Sequence, residues 1–418
     1  MRLSTLAVSL GALSLGMTAC TGGTGADQTA DTVAGKPSSI KLVAAEYSKT
    51  NTKAFWTEFA KKYQAKTGIK LEVQVVDWNA IDQQSSTMIQ GGNPPDILNL
   101  NAYASYAKDD LLYSGDEVLP PAVRSDLLDA FVRSGTYRGK LYGMPDLSSA
   151  RALFYNKTLF ARAGVTAPPK TWTEFLAVAK KVTALGNGTV GYAMPLGPEE
   201  SQAEFSIWMV NNGGDWKTGG AWSINSTKNL EALRFLRSLA LDAKVTQNNP
   251  GKTNRTDGAF PLFSSGKAGM VVGFSPLSTS LDEARSVDYG IAPMPTGDGG
   301  PPRTYGVTDY LMAFRKAGNQ DAVKAFYELY YQPDQVNTFI KGEGFLPVTK
   351  SGLAAFGADP KLKVYLATLS NTHLTPTDDP SWDKVKLAVQ QGLGVAVTPG
   401  GDPQKVLDDL QKLAESGG

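Results

Sequence analysis

Cysteine and histidine each occur once in the 418 residues. A lone cysteine closes no internal disulfide and builds no Cys-rich zinc site. A lone histidine, His373, removes every site that needs two imidazoles. Excess charge of either sign is missing as well, with 41 Lys+Arg against 40 Asp+Glu. Nothing in that balance offers the basic footprint a nucleic-acid partner would require. Glycine (43) and proline (24) stand near average usage, so the chain is neither collagen-like nor low-complexity. A phosphate loop is also missing: Ser265-Gly266-Lys267-Ala268 has no hydroxyl after the lysine and no upstream glycine spacing. No metal site and no cofactor are expected. What remains is a near-neutral globular chain whose length suggests two or three domains.

The single cysteine gains meaning from its surroundings. Arg2 precedes an uncharged stretch from Leu3 to Ala19, rich in Leu, Ala, Ser and Gly. It is shorter and more polar than a span of a roughly 30 Å hydrocarbon core needs, and it reads as an export signal. Met17-Thr18-Ala19-Cys20 resembles a bacterial lipobox, which implies that residues 1–19 are removed and Cys20 is lipidated. The mature chain would then sit at the outer face of the cytoplasmic membrane. Residues 20–39 hold Val33 as their one sizeable apolar side chain, the composition of a flexible tether. Loss of Arg2 takes the 41 basic residues to 40, against 40 acidic ones.

Globular patterning begins at Ile40. Ile40–Ala45 reads as a strand, Phe55, Trp56, Phe59, Ala60 and Tyr63 as one stripe of a helix, and Gly68 as its stop. Ile69–Val75 alternates with period two, Ile81–Gln90 is helical, and Asp96–Leu100 is a third strand. Strand–helix–strand–helix–strand implies a parallel α/β sheet. Ligands of such sheets bind beyond the carboxyl ends of the strands, here Glu46-Tyr47-Ser48, Asp77-Trp78-Asn79 and Asn99-Leu100-Asn101. A second α/β region starts near Ser149. Thr171-Trp172-Thr173-Glu174 is a capping box for one of its helices, and Asp402-Pro403 opens the last helix.

Several phrases, in order, carry a resemblance: Gly91-Gly92-Asn93-Pro94-Pro95-Asp96, Tyr142-Gly143-Met144-Pro145, Leu153-Phe154-Tyr155-Asn156-Lys157, Pro168-Pro169-Lys170-Thr171-Trp172, Gly344-Phe345-Leu346-Pro347 and Trp382-Asp383-Lys384-Val385. Over residues 40–415 the chain resembles the extracellular solute-binding proteins of carbohydrate ABC importers, its maltodextrin-binding members included. The resemblance implies a two-lobed, periplasmic-binding-protein-like α/β fold with a hinge and an interlobe ligand cleft. The first lobe would be 40–143 plus 307–345, and the second 144–306 plus 346–418, with crossings near Tyr142–Pro145, Arg303–Val307 and Phe345–Val348. It also implies a non-catalytic monomer that closes on a neutral carbohydrate and docks on ABC permease subunits in the membrane.

A sugar needs aromatic platforms for its C–H faces, and carboxylates and amides for its hydroxyls. The hydrogen-bonding candidates are Glu46, Ser48, Asn99, Asn101, Gln202 and Asp309, with Ser149 and Arg151 beside the hinge. The platform candidates are Tyr47, Trp78, Trp208, Trp216, Phe274 and Trp382, while Trp56 and Trp172 read as core. The resemblance puts Asn99–Asn101 on a ligand-contacting loop and Trp382 at a stacking position. His373 reads as a surface residue. A polyol, a glycerol phosphodiester or a polyamine would be alternative cargoes. An exported glycoside-acting enzyme is the more distant rival, since two carboxylates suffice for that chemistry.

Overall fold

The computed structural model describes residues 37–358, 362–368 and 372–416, so Cys20 and the export signal lie outside the described residues. The first elements alternate: β1 (Ser39–Glu46), α1 (Thr52–Thr67), β2 (Lys70–Asp77), α2 (Trp78–Gln90) and β3 (Ile97–Leu100). β1 pairs in parallel with both β2 and β3, as the sequence pattern requires. Strand side chains alternate between faces, and here both faces are buried. Leu42 and Ala44 of β1 join a core cluster with Trp56, Phe59 and Tyr63 of α1, whereas Val43 and Ala45 join another with Ile81 of α2. A parallel strand covered on both sides reads as a continuous apolar run for this reason. Gly68 ends α1 at φ +73°, and its N–H donates to Gln64 O. That left-handed position is open to glycine at little cost.

Two further strands follow, β4 (Met144–Ala150) and β5 (Ala152–Asn156), and the chain changes sheet between them at Arg151. A second α/β layer holds α3 (Trp172–Thr183), β6 (Val190–Ala193), α4 (Ser201–Val210), α5 (Thr227–Leu241), β7 (Ala268–Gly273), α6 (Ser275–Ala284) and β8 (Tyr289–Ala292). Its sheet runs β8-β5-β7-β6. The chain then returns through β9 (Thr304–Ala313), α7 (Gln320–Tyr330) and α8 (Pro333–Glu343), and finishes with β10 (Thr372–Leu374), α9 (Trp382–Gly392) and α10 (Pro403–Ser416). β9 joins the first sheet, which runs β10-β9-β3-β1-β2 with β4 on the other flank of β9.

Strands β4 and β9 and the segment at Leu346 lie side by side. Val307 pairs with Ser149, and Ser148 exchanges backbone hydrogen bonds with Leu346 at 2.8 and 3.1 Å. Gly143, just before β4, has no room for a side chain, because a Cβ there would meet the Tyr103 and Tyr310 rings at 2.8 Å. Close approach of two aromatic rings explains the glycine of the Tyr142–Pro145 phrase.

Two buried acids knit these layers. Asp146 of β4 is fully buried, accepts from Asn99 Nδ2 at 2.9 Å, and is also bonded to the Tyr330 hydroxyl. Burial pushes its carboxyl up to about 8, against the pull of those hydrogen bonds. In the second layer every residue of α4 is buried. Glu204 there accepts the Trp208 indole N–H at 2.9 Å and faces the Tyr192 hydroxyl, and burial raises it to about 7.

Trp208→Ala should therefore destabilise the fold by about 3–5 kcal/mol, since it leaves a cavity and takes one of two donors from a buried carboxylate. Urea unfolding checks this, and a loss below about 1 kcal/mol would contradict the packing. A second expectation concerns pH. The folded pKa of Asp146 lies above its unfolded value of about 3.9, so its contribution is complete below about pH 4 and is lost as pH rises through about 8. Wild type should lose stability relative to Asp146→Asn across that window, and parallel pH profiles would show that the carboxyl is not titrating there.

Candidate functional site

The carboxyl ends of β1, β2 and β7 open on one cavity of about 180 Å³. β1 delivers Glu46 and then Tyr47. Trp78 stands at the first position of α2, where Asp77 caps the helix by accepting from Asn79 N at 3.0 Å. Phe274 follows β7 directly, and β9 contributes Val307 and Asp309. Ser149 comes from the end of β4, Arg151 directly follows it, Glu200 precedes α4, and Arg255 opens the helical turn Arg255–Ala259. Seven of the residues singled out from the sequence thus meet here: Glu46, Tyr47, Trp78, Ser149, Arg151, Phe274 and Asp309.

Aromatic rings form an arc along the wall. Trp78 and Tyr47 lie 5.7 Å apart, Tyr47 and Phe345 5.1 Å, and Phe345 and Phe274 6.1 Å. Two guanidiniums cover the Phe274 ring, with Cζ of Arg151 at 4.4 Å and of Arg255 at 4.7 Å from its centroid. Both arginines are also ion-paired to a single carboxylate. Arg151 Nη2 reaches Glu200 Oε2 at 2.8 Å, and Arg255 Nη1 contacts the same oxygen. Arg255 Nη2 adds Glu199 Oε1 at 3.2 Å. Burial lowers each guanidinium to about 10, which leaves both charged at neutral pH.

Asp309 is the contrasting group. Only 3% of its surface is exposed, and burial raises its carboxyl to about 6. Oδ2 accepts from the Tyr47 hydroxyl at 2.6 Å, but buried Oδ1 has no hydrogen-bond partner among the described residues. Arg255 Nε is likewise unpartnered. Buried polar atoms are normally satisfied, so these two are exceptions on residues that line the cavity.

The remaining candidates fall elsewhere. Ser48 precedes α1, its Oγ accepting from Asn51 N at 3.0 Å. Asn99 lies behind the cavity wall, with Oδ1 3.0 Å from the Tyr47 hydroxyl. Asn101 is engaged by Lys386 Nζ at 3.1 Å, and the same ammonium reaches both Asp82 oxygens at 3.0 Å. Gln202 is buried in α4. Trp208, Trp216 and Trp382, expected as platforms, are core residues no more than 1% exposed. Trp216 donates to Ser206 Oγ at 2.7 Å, and Trp382 packs at 5.5 Å from Trp216 and 6.3 Å from Trp222. Trp208 is covered instead by Trp172, Phe175, Tyr192 and Phe235, and none of the three lines the cavity. His373 is half-buried and its Nδ1 lies 3.1 Å from Asp215 Oδ2, rather than free at the surface.

Sequence reasoning missed Glu200, Arg255 and Phe345. The adjacent acids Glu199-Glu200 ahead of an unusually apolar helix were a usable signal, because paired acids beside a buried segment require cations. Arg255 carried no local signal, since its loop position matters only through the fold.

Residues 48–337 match the family described as bacterial extracellular solute-binding protein. A binding protein of Brucella abortus is 28% identical over 385 residues, covering 90% of this chain and 92% of that one. Among solved structures, an ABC transporter solute-binding protein of Thermotoga lettingae bound with alpha-D-tagatose superposes with a TM-score of 0.78 at 20% identity, covering 90% of this chain and 99% of that one. Maltose-bound MalE3 of T. maritima gives the same TM-score, identity and coverage. These are two-lobed α/β proteins, and the sheets described above are built on the same plan. With the family match spanning more than half of its length, the chain belongs to the bacterial extracellular solute-binding proteins.

Proposed function

We propose that this protein is the substrate-binding component of an ABC importer and that it holds a neutral sugar or short oligosaccharide in the cavity at Tyr47, Trp78, Phe274 and Asp309. The observation that carries this reading is the pairing of an aromatic arc with an unpartnered carboxylate oxygen, while both nearby guanidiniums are already neutralised by Glu199 and Glu200. Aromatic faces suit the C–H faces of a sugar, and a free carboxylate oxygen accepts hydroxyl donors. A phosphodiester would meet Asp309 and Glu46 without a free cation, and a polyamine would meet the two guanidiniums. The tagatose and maltose held by two solved proteins of this fold accord with the sugar reading.

The protein acts by closure rather than turnover. The lobes, expected as 40–143 with 307–345 and 144–306 with 346–418 but with the first boundary drawn at Arg151, where the chain changes sheet, move about the strands at Ser149, Val307 and Leu346, and the closed form docks on membrane permease subunits. It does so as a monomer. Cys20 carries a lipid that holds the mature chain at the outer face of the cytoplasmic membrane, a reading supported by the Met17–Cys20 phrase and the polar tether after it. Among the described residues no helix is long and apolar enough to cross a membrane.

Calorimetry with neutral sugars, sugar phosphates and polyamines should give heat with neutral sugars, and the bound sugar should be recovered unchanged. Binding confined to charged compounds would refute the cargo, and cleavage of an oligosaccharide would refute the absence of catalysis. Trp78→Ala should weaken sugar binding by roughly 1–3 kcal/mol, the scale of uncovering one large apolar surface, with little change in melting temperature. Unchanged affinity in a folded variant would remove Trp78 from the site.

A further inference from the structure

Glu343 is a buried acid with no part in the binding described above. It is the last residue of α8 and only 4% exposed, and among the described residues no lysine or arginine is ion-paired to it. Burial raises its carboxyl, and the charge that acts on it is a second acid, Glu46. The carboxyl end of a helix is also the end that disfavours an anion. A side chain in so unfavourable a place needs a compensating contact, and its contacts lead to the cavity wall.

Thr52, fully buried at the start of α1, supplies that contact. Its Oγ1 accepts the backbone N–H groups of Tyr47 and Ser48, each at 3.0 Å, and donates to Glu343 Oε1 at 2.6 Å. A hydroxyl has two lone pairs and one proton, so Thr52 uses all three and its proton is committed to Glu343. Both N–H groups lie just past the end of β1 and its ladder with β2. Alongside, Asn51 Nδ2 donates to Gly342 O at 2.6 Å and ties the same loop to the same helix end. Gly344 then turns at φ +74°, and Phe345 meets the Tyr47 ring at 5.1 Å. Glu343 thus stands behind two rings that line the cavity.

Resting on the sugar reading, we propose that Glu343 is a positioning residue for the binding site: through Thr52 it fixes the Tyr47 backbone, so that the Tyr47 and Phe345 rings keep the spacing on which the ligand packs. The role requires an acceptor oxygen at Oε1. Glutamine keeps that oxygen, whereas leucine leaves the Thr52 proton unmet in a buried place. A tie that merely held α1 to α8 would lower the melting temperature and leave the affinity of the folded protein as it was.

The test is calorimetry of the full chain with D-glucose, D-tagatose, maltose, maltotriose, glycerophosphocholine and spermidine, followed by variants on whichever compound the wild type binds tightest. Glu343→Leu and Thr52→Val should each weaken that binding by about tenfold or more, the scale of one lost hydrogen bond to a charged group. Glu343→Gln and Thr52→Ser, which keep the bond, should stay within about twofold of wild type. In a Tyr47→Ala background, Glu343→Leu should cost less than about twofold more, because its effect passes through Tyr47. Unchanged affinity in folded Glu343→Leu, or losses that multiply in the double variant, would overturn the positioning role and leave the sugar reading standing. Tightest binding of glycerophosphocholine or spermidine would take the sugar reading down, and the same variants would still decide the positioning role on that compound. No heat with any of the six would take both down. Should Glu343→Leu fail to fold, Thr52→Val, alone and with Tyr47→Ala, decides in its place.

Discussion

One carboxylate, Glu200, holds two buried guanidiniums, and the character of the cavity depends on that arrangement. Arg151 sits where the chain passes from one sheet to the other, and Arg255 opens the helical turn Arg255–Ala259 of the second layer. Burying either cation alone would cost several kcal/mol. Glu199 reinforces the pair by accepting from the Arg255 and Thr256 backbone N–H groups at 2.9 Å each. The guanidinium planes then lie over Phe274 and complete a wall that is apolar in surface and balanced in charge. With the cations paired internally, Asp309 Oδ1 and Arg255 Nε are the cavity-lining groups left without hydrogen-bond partners among the described residues.

A second polar seam joins distant parts of the chain. Lys386 and Asp383 from α9 meet Asp82, Asn101 and Ser105 from the first sheet's helices and loops. Burial alone would lower the ammonium's pKa, but Asp82 and Asp383 outweigh it and hold the group above its usual value. The seam is thus a firmly charged clasp. Its location also accounts for the fate of Asn101, a residue suited to hydrogen-bond a ligand that instead hydrogen-bonds a lysine.

Tryptophan placement shows where pattern reading stops. Trp56 lies on a helical stripe with Phe59 and Tyr63 and is core, as its spacing implies. Trp78 follows a strand end and lines the cavity, again where the α/β rule points. Trp216 and Trp382 have no such local context. They are 166 positions apart in the chain numbering yet pack 5.5 Å from one another, a contact set by how α9 docks and not by either neighbourhood.

The sequence by itself determined the alternating α/β architecture, the parallel order of the first three strands, the helix stop at Gly68 and start at Asp402-Pro403, and the cavity-lining ends at Glu46-Tyr47 and Trp78. These follow from periodicity and turn chemistry, which act over a few residues at a time. Tertiary structure alone decided that Arg255 and Phe345 join the cavity, that Trp208, Trp216 and Trp382 bury themselves against core neighbours, and that Lys386 occupies Asn101. Those outcomes depend on charges and rings from segments 50 to nearly 300 residues apart competing for the same buried space. Local propensity carries no record of that competition, because the desolvation cost that settles it exists only once the chain has packed.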